Sequence, residues 1–365
     1  MRAVVLSHAY LEPARRGRLR ALAGLGCEVT VAVPERWQPS PGIVERVQWE
    51  EEAGLRIVPV PVRGSLDDSA ETTWSGRALR RILKEARPDI LQIEEESWSP
   101  VAARAAADGR RLGIPVAARA RIVPESLSMA ARLRRRGVLR RARGVIAENP
   151  IVAAALAEDH PDLACAVIPQ VGVTPSLAPA PIRPDGFAIG CVGRLVPSAG
   201  VDVLLRACVQ LARPWTLVIS GTGPSQIELE ALAERLGIAA RITWLGAQPA
   251  EDRAHIWSTF DCLVMPSRAA PERAESLGMP ALNAMAHGVP VIVSDVGALA
   301  GTVGEGGLVV PEGDPEALAI ALDRLAGDLE LRRATGQAGR RRAMEEFSNE
   351  VLARRTLDFW TAATR

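Results

Sequence analysis

The 365-residue sequence has almost no lysine: Lys84 is the only one, so nearly all of its positive charge is guanidinium. Genome composition and a hot habitat both produce that bias, and it decides between neither. The five cysteines (Cys27, Cys165, Cys191, Cys208 and Cys262) are scattered, odd in number and form no C-x-x-C pair. That excludes a disulfide framework and a thiolate zinc site, and implies reduced, buried thiols in a cytoplasm. The four histidines (His8, His160, His255 and His287) make no pair at metal-ligand spacing, so no metal is expected. A surplus of one charge is also missing: the net charge of +1 excludes general binding to nucleic acid, which needs a basic surface. No apolar run reaches the roughly 18 residues of a membrane-spanning helix. The apolar run in the opening MRAVVLSHAY is too short for a signal peptide, and a cytoplasmic protein is expected.

What is present is an ordinary soluble composition, 48% hydrophobic and 24% charged, in a chain long enough for two domains. Short β-prone runs at 3–6, 29–33, 57–62, 90–93, 116–118, 145–147 and 166–168 alternate with helical patterns such as 76–86 and 100–112. The stretch 174–186, TPSLAPAPIRPDG, is rich in proline and small residues and reads as a domain boundary. Alternation then restarts, with strands at 188–192, 216–220, 242–244, 262–265, 290–294 and 308–310, and helices at 201–211, 227–236, 315–326, 330–346 and 350–363. Such alternation predicts an α/β protein of two doubly wound parallel sheets, each covered on both faces. Two such domains in series imply a cleft into which both aim their strand-end loops.

The stretch 260–294 joins two strands through a polar loop carrying Arg268, Glu272, Arg273 and Glu275, then a helix from Gly278 and Met279 to Gly288 with Pro280 in its first turn. Free N–H groups over Gly278, Met279 and Ala281 would make that helix start a phosphate site. A solvated acidic loop ahead of an ordinary helix fits the local pattern equally. Gly193 and Arg194 follow the first strand of the second half, where a guanidinium can fork onto a diphosphate. Gly221 and Gly223, in a strand-to-helix turn, can bring N–H groups to a ligand; Gly17, at the end of a loop over 7–17 that follows the first strand, can let backbone approach one. His8, at the mouth of that loop, reads as an ordinary loop histidine. Glu94-Glu95-Glu96 ends the strand 90–93, where mutual repulsion raises the pKa of one carboxyl or calls for a cationic partner; the run reads either as an acidic loop facing water or as a general base or hydroxyl-binding carboxylate in the cleft, Glu94 first. Arg132, Arg134, Arg135, Arg136, Arg140, Arg141 and Arg143 crowd one helical segment, a solvated face or a peripheral contact with an anionic membrane surface.

Four separated motifs in order, GRLVPSAGVDVLLRA, LVISGTGP, LVMPSRAAPERAESLGMPALNAMAHGVPVIVSD and GLVVPEGDPEALAIAL, resemble the retaining glycosyltransferases of family 4. SHAYLEPARRGRLRALAGLG and PDILQIEEESWSP resemble the first domain of that family less closely. The resemblance implies the GT-B fold: an acceptor-side Rossmann-like domain over 1–174, a donor-binding domain over 187–347, and a closing helix at about 348–365 that returns to the first. It implies a nucleotide-diphosphate sugar as co-substrate, no cofactor or metal, and a saccharide, lipid or small-molecule acceptor. Arg194 takes the place of the family's diphosphate-binding arginine, and Glu275 that of the glutamate expected to touch the transferred sugar. Asn283 stands where a ribose-binding glutamate is usual, Ala199 where a second diphosphate cation is usual. Arg268 or Arg273 stands ready to replace that cation. Gln92 and Glu94 replace an H-x-H pair, leaving Glu94 expected towards the acceptor. Two functions lead, a working transferase and a non-catalytic relative that binds or regulates one; a third, a nucleotide-sugar epimerase on the same architecture, is disfavoured by the family 4 spacing.

Overall fold

The computed structural model describes residues 1–40, 43–66, 71–124, 126–174, 186–248, 253–270 and 277–365. The chain divides into two compact units, Met1–Gly172 with Asn349–Arg365, and Val173–Ser348. The division at 172–173 lies just ahead of the proline-rich stretch, whose residues 175–185 fall outside the described residues.

The first unit runs β1 (Arg2–Leu6), α1 (Gly17–Gly24), β2 (Glu28–Pro34), the antiparallel pair β3 (Arg36–Ser40) and β4 (Ile43–Arg46), β5 (Glu50–Glu52), β6 (Leu55–Val60) and the short pair β7 (Val62–Arg63) and β8 (Thr73–Trp74). It continues with α2 (Gly76–Ala86), β9 (Ile90–Ile93), α3 (Pro100–Arg111), β10 (Val116–Ala120), α4 (Met129–Leu139), β11 (Gly144–Ala147), α5 (Pro150–Asp159) and β12 (Cys165–Val167). Eight strands form one sheet in the order β12-β11-β10-β9-β1-β2-β6-β5, with β5 antiparallel to its neighbour. Alternate side chains of β1 separate the two cores. Val4 and Leu6 pack with Leu79, Leu83 and Val101, whereas Ala3 and Val5 pack with Leu19, Leu22 and Trp360. Sequence punctuation sets the helix starts: Ser99 and Asn149 cap α3 and α5 through their side chains, each followed by a proline that has no N–H to leave unpaired.

The second unit contains β13 (Ala188–Val192), α6 (Val201–Cys208), β14 (Thr216–Ser220), α7 (Gln226–Arg235), β15 (Ile242–Gly246), α8 (Arg253–Ile256), β16 (Cys262–Met265), α9 (Met279–Ala286), β17 (Val291–Ser294), α10 (Leu299–Val303), β18 (Leu308–Val310), α11 (Pro315–Gly327) and α12 (Leu329–Phe347). Its six-stranded sheet has the order β15-β14-β13-β16-β17-β18, parallel in every pair. Ile189, Val264 and Ile292 face one core, and Leu263, Val291 and Val293 the other. The last helix, α13 (Asn349–Thr364), belongs to the first unit, where Trp360 is fully buried and donates its indole N–H to Gln92 Oε1 at 2.9 Å.

Three features depart from the sequence reading. Residues 7–17, expected as a loop, form two 3-10 turns, His8–Leu11 and Pro13–Arg16, the first capped by Ser7 Oγ. The pairs β3/β4 and β7/β8 carry too few residues to show a period. The edge strand β5 is three glutamates, a composition that alone argues against a strand. Arg16 holds Glu50 at 3.0 Å and Glu52 at 2.7 Å, and the remaining charge guards an open sheet edge. Among the described residues no helix is long and apolar enough to cross a membrane.

Candidate functional site

In the second unit the chain reverses its direction of growth between β13 and β16: β14 and β15 extend the sheet one way, β17 and β18 the other. Ligands of doubly wound sheets bind outside the carboxyl ends of the strands at such a reversal. A shallow cavity lies there, lined by Gly193, Arg194, Leu195, Ala199, Pro266 and Ser267 among others. Gly193 and Leu195 donate N–H to Ser220 O and Thr222 O, both at 3.0 Å, lacing the two strand-end loops together. A Cβ on Gly221 would strike the Gly193 carbonyl, and one on Gly223 that of Leu195, so both glycines serve a close backbone approach. This corrects the expected role of Gly221: its N–H donates to Gly246 O at 2.8 Å and is not open to a ligand.

Arg194 is exposed at this edge, and no ion-pair partner for it exists among the described residues. Ala199 is half-buried against the core. Arg268 lies beside it, with its N–H on Ser198 O at 2.9 Å and its guanidinium 2.7 Å from Asp202. Arg268 is therefore a cation already balanced by a carboxylate, not the spare charge the sequence promised. The start of α9 has the backbone expected: Gly278 takes the left-handed conformation (φ 73°), and no side-chain cap for the helix is found among the described residues. Pro280 has no N–H and Leu282 is bonded to Gly278 O, which leaves Met279 and Ala281 as the first-turn donors. Asn283 donates its side-chain amide to Met279 O at 2.9 Å, which leaves its Oδ1 without a bond to the backbone of its own first turn. Glu275, Glu272 and Arg273 lie outside the described residues.

The first unit has its own reversal, between β1 and β9. Here the glutamate run contradicts the reading as an acidic loop facing water, because Glu94, Glu95 and Glu96 are all buried and Glu94 and Glu96 have found cationic partners. Glu94 accepts from Arg18 at 2.6 Å, Tyr10 Oη at 2.6 Å and Gln170 Nε2 at 2.8 Å, with Arg119 at 3.5 Å. Burial pushes its carboxyl up, and the charges of Arg18 and Arg119 with the Tyr10 and Gln170 hydrogen bonds overcome that and bring it down to about 2. Arg18 also donates to Thr356 Oγ1 of α13 at 3.0 Å. Glu94 is thus the centre of a buried ion cluster that fastens α13, and a permanently ionised, fully enclosed carboxylate is no general base. Gly17 is likewise structural: a Cβ there would collide with the Asn349 side chain of α13. Glu95 instead holds His8, which sequence reasoning passed over, and Trp37 stacks on that imidazole with ring centroids 4.7 Å apart. The signal was there to find: His8 and Glu95 each stand two positions past the end of a strand, β1 and β9, and those strands are neighbours.

Two descriptions of known families match the two halves: the glycosyl transferase 4-like domain over residues 13–170, and glycosyl transferases group 1 over residues 177–342. The chain belongs to the GT-B glycosyltransferases. It is 36% identical over 178 residues to a D-inositol 3-phosphate glycosyltransferase of Corynebacterium urealyticum, a match covering 46% of this chain and 39% of that protein. It is 37% identical over 170 residues to a GDP-mannose-dependent phosphatidylinositol monomannoside mannosyltransferase of Mycolicibacterium smegmatis, covering 45% of this chain and 44% of that one. The matches thus span less than half the length of these curated relatives. Among solved structures, Anabaena HepE in complex with UDP superposes with a TM-score of 0.74 at 17% identity, over 99% of this chain and 100% of that one. Sucrose-phosphate synthase of Thermosynechococcus elongatus superposes with a TM-score of 0.71 at 20% identity, over 99% and 98%. Both likenesses are of fold. In this GT-B chain the reversal at β13 and β16 brings together Gly193, Arg194, Gly221 and Gly223, while Gly17 and Glu94 belong to the first unit and to its packing.

Proposed function

We propose that the chain moves a sugar from a nucleotide-diphosphate donor to an acceptor hydroxyl, with retention at the anomeric carbon and without a metal. The second unit takes the donor. Arg194 and the N–H groups of Met279 and Ala281 balance the charge that gathers on the leaving diphosphate. Asn283 Oδ1 accepts from a ribose hydroxyl, and Glu275, placed by the family resemblance, orients the transferred sugar. The observation that carries this is Arg194, an arginine with no carboxylate partner among the described residues, at the sheet reversal where Arg268 is already paired with Asp202. A fold neighbour crystallised with UDP and with UDP-glucose supports a nucleotide-sugar donor. Calorimetric titration with UDP, GDP and ADP is the direct test. Binding of one of them, weakened in Arg194→Ala, is expected; silence with all three refutes the proposal.

The second reading, a non-catalytic relative acting as a binding partner, is favoured by one observation: with Ala199 in place and Arg268 paired to Asp202, Arg194 is the one unbalanced cation among the described residues there, where two are usual in the resemblance. Donor turnover by the purified chain, abolished in Glu275→Ala, would decide against it. We place a peripheral contact with anionic membrane lipid on the face of α4. Arg110, near the end of α3, and Arg140, Arg141 and Arg143, which follow α4, line a concavity of about 450 Å³ at the carboxyl end of α4, and Met129 and Leu133 of α4 stand 71% and 63% exposed. None of those four arginines has an ion-pair partner among the described residues. Unbalanced guanidinium beside exposed apolar side chains suits an interface of headgroups and acyl chains.

A further inference from the structure

We propose that the amino-terminal edge of the first unit's sheet carries a second, non-catalytic binding site, a two-lobed arginine concavity whose ligand bears two phosphate groups. The site gives a chemistry to the membrane contact placed on α4, and rests on that reading only where the phosphates belong to a lipid. It is independent of the transferase reading.

The concavity of about 450 Å³ at the carboxyl end of α4 is lined by Arg110, Arg140, Arg141 and Arg143. A second, of about 410 Å³, is lined by Arg136 with the same Arg110, Arg140 and Arg141. The shared side chains make the two concavities adjoining lobes of one site, with Arg143 at one and Arg136 at the other. Among the described residues no carboxylate lines either lobe. The flanking helices have none to lend. α4 contains no Asp or Glu, and the only one in α3, Asp108, is buried and held by Arg104 at 3.1 Å, Arg80 at 3.3 Å and Arg111 at 3.7 Å. None of the five lining arginines has an ion-pair partner among the described residues.

Charge balance sets the number of phosphates. α3 and α4 both end at this edge, and each helix terminus brings about half a negative charge. Five guanidinium groups exceed that by about four charges. One phosphate group brings between about one charge as a diester and about two as a monoester, so it leaves at least half of the excess unbalanced. A second group narrows or closes the gap, and the planar guanidinium suits phosphate oxygens in pairs. The position separates this site from the chemistry. Pro115 and Val116 open β10 and Arg143 precedes β11, so the site stands at the amino ends of parallel strands. The reversal between β1 and β9 is used at the carboxyl ends, and the five residues of β10 at about 3.3 Å each put roughly 16 Å of sheet between the two edges.

Calorimetric titration of the full chain with propane-1,3-diol bisphosphate and with propyl phosphate reads the preference for two phosphates, free of any sugar. Co-sedimentation with cardiolipin or phosphatidylglycerol vesicles, matched in lipid phosphate, reads a lipid source. The bisphosphate is expected to bind on the order of tenfold more tightly than the monophosphate. Arg140→Ala, which removes a side chain common to both lobes, weakens it about tenfold. Arg132→Ala, an equally exposed arginine of α4 outside both lobes, leaves it within about twofold. A preference for cardiolipin with the same pattern of variants, the soluble bisphosphate being silent, assigns the phosphates to a headgroup. No preference for two phosphates in either arm overturns the proposal. So does an equal loss in Arg132→Ala and Arg140→Ala, which marks diffuse charge, and so does binding lost in Arg194→Ala, which places the ligand in the second unit. Equal sedimentation with the two anionic vesicles and silence in calorimetry removes the site and leaves the membrane contact standing.

Discussion

Replacing Glu94 by glutamine separates a structural carboxylate from a reactive one. The side chain keeps its shape but loses the charge that balances Arg18, which is 0% exposed; Arg119, 3.5 Å away and 1% exposed, keeps Glu148 at 2.9 Å. Removing one partner of a buried pair leaves an uncompensated charge and costs about 3–5 kcal/mol. An independent route gives a similar size. Displacement of the Glu94 carboxyl from 4.5 to about 2, at about 1.36 kcal/mol per unit, corresponds to about 3 kcal/mol of stability. Because the folded value is the lower one, that stability is present above 4.5 and drains away as the pH falls towards 2. By pH 3.5 this one group has withdrawn about 1.4 kcal/mol from the wild type and nothing from the variant.

Hydrogen exchange followed by mass spectrometry localises the effect to the first unit, which a single unfolding curve of a two-unit chain would not. In Glu94→Gln at neutral pH, amides of β1, β9 and α13 are expected to exchange roughly a hundredfold faster, the equivalent of about 3 kcal/mol. Those of β13 and β16 are expected to be unchanged. Between pH 7 and about pH 4 the variant's deficit in the first unit narrows, since only the wild type loses the Glu94 contribution. Undisturbed exchange in β1 and β9 together with lost transferase activity would refute the reasoning and return Glu94 to the chemistry.

Arg194→Ala should weaken nucleoside diphosphate binding by about 1.5–3 kcal/mol, on the order of 10- to 100-fold, while thermal stability stays put because the side chain is exposed; calorimetry and a melting curve read the two effects. Trp360→Ala should destabilise the first unit by about 3–5 kcal/mol, since it opens a cavity and strips Gln92 Oε1 of its donor; a loss under about 1 kcal/mol by urea unfolding would mean that α13 is dispensable. Reversing Arg136, Arg140 and Arg141 to glutamate should abolish co-sedimentation with phosphatidylglycerol vesicles, and wild-type binding should fade between about 0.1 and 1 M salt; equal binding to phosphatidylcholine vesicles would sink the electrostatic account.

The second unit was legible because its decisive features are local. Glycines at Gly193, Gly221 and Gly223, a proline in the first turn of α9 and a continuous apolar β16 each state a backbone requirement within a few residues. The first unit was not, because its decisive features are pairings at a distance. Glu94 meets Arg18 and Gln170 across 76 residues each, His8 meets Glu95 across 87, and Gln92 meets Trp360 across 268. A run of three glutamates looks the same in sequence whether water or arginine surrounds it. The sheet order is what assigns each its neighbour: β9 sets Glu94 against an arginine of α1, and one residue further on sets Glu95 against a histidine following β1. Adjacent carboxylates at the end of one strand therefore divide the labour by which way each points, Glu94 into the packing of α13 and Glu95 towards the imidazole at the sheet reversal. Such a division cannot be carried by residue type, only by topology.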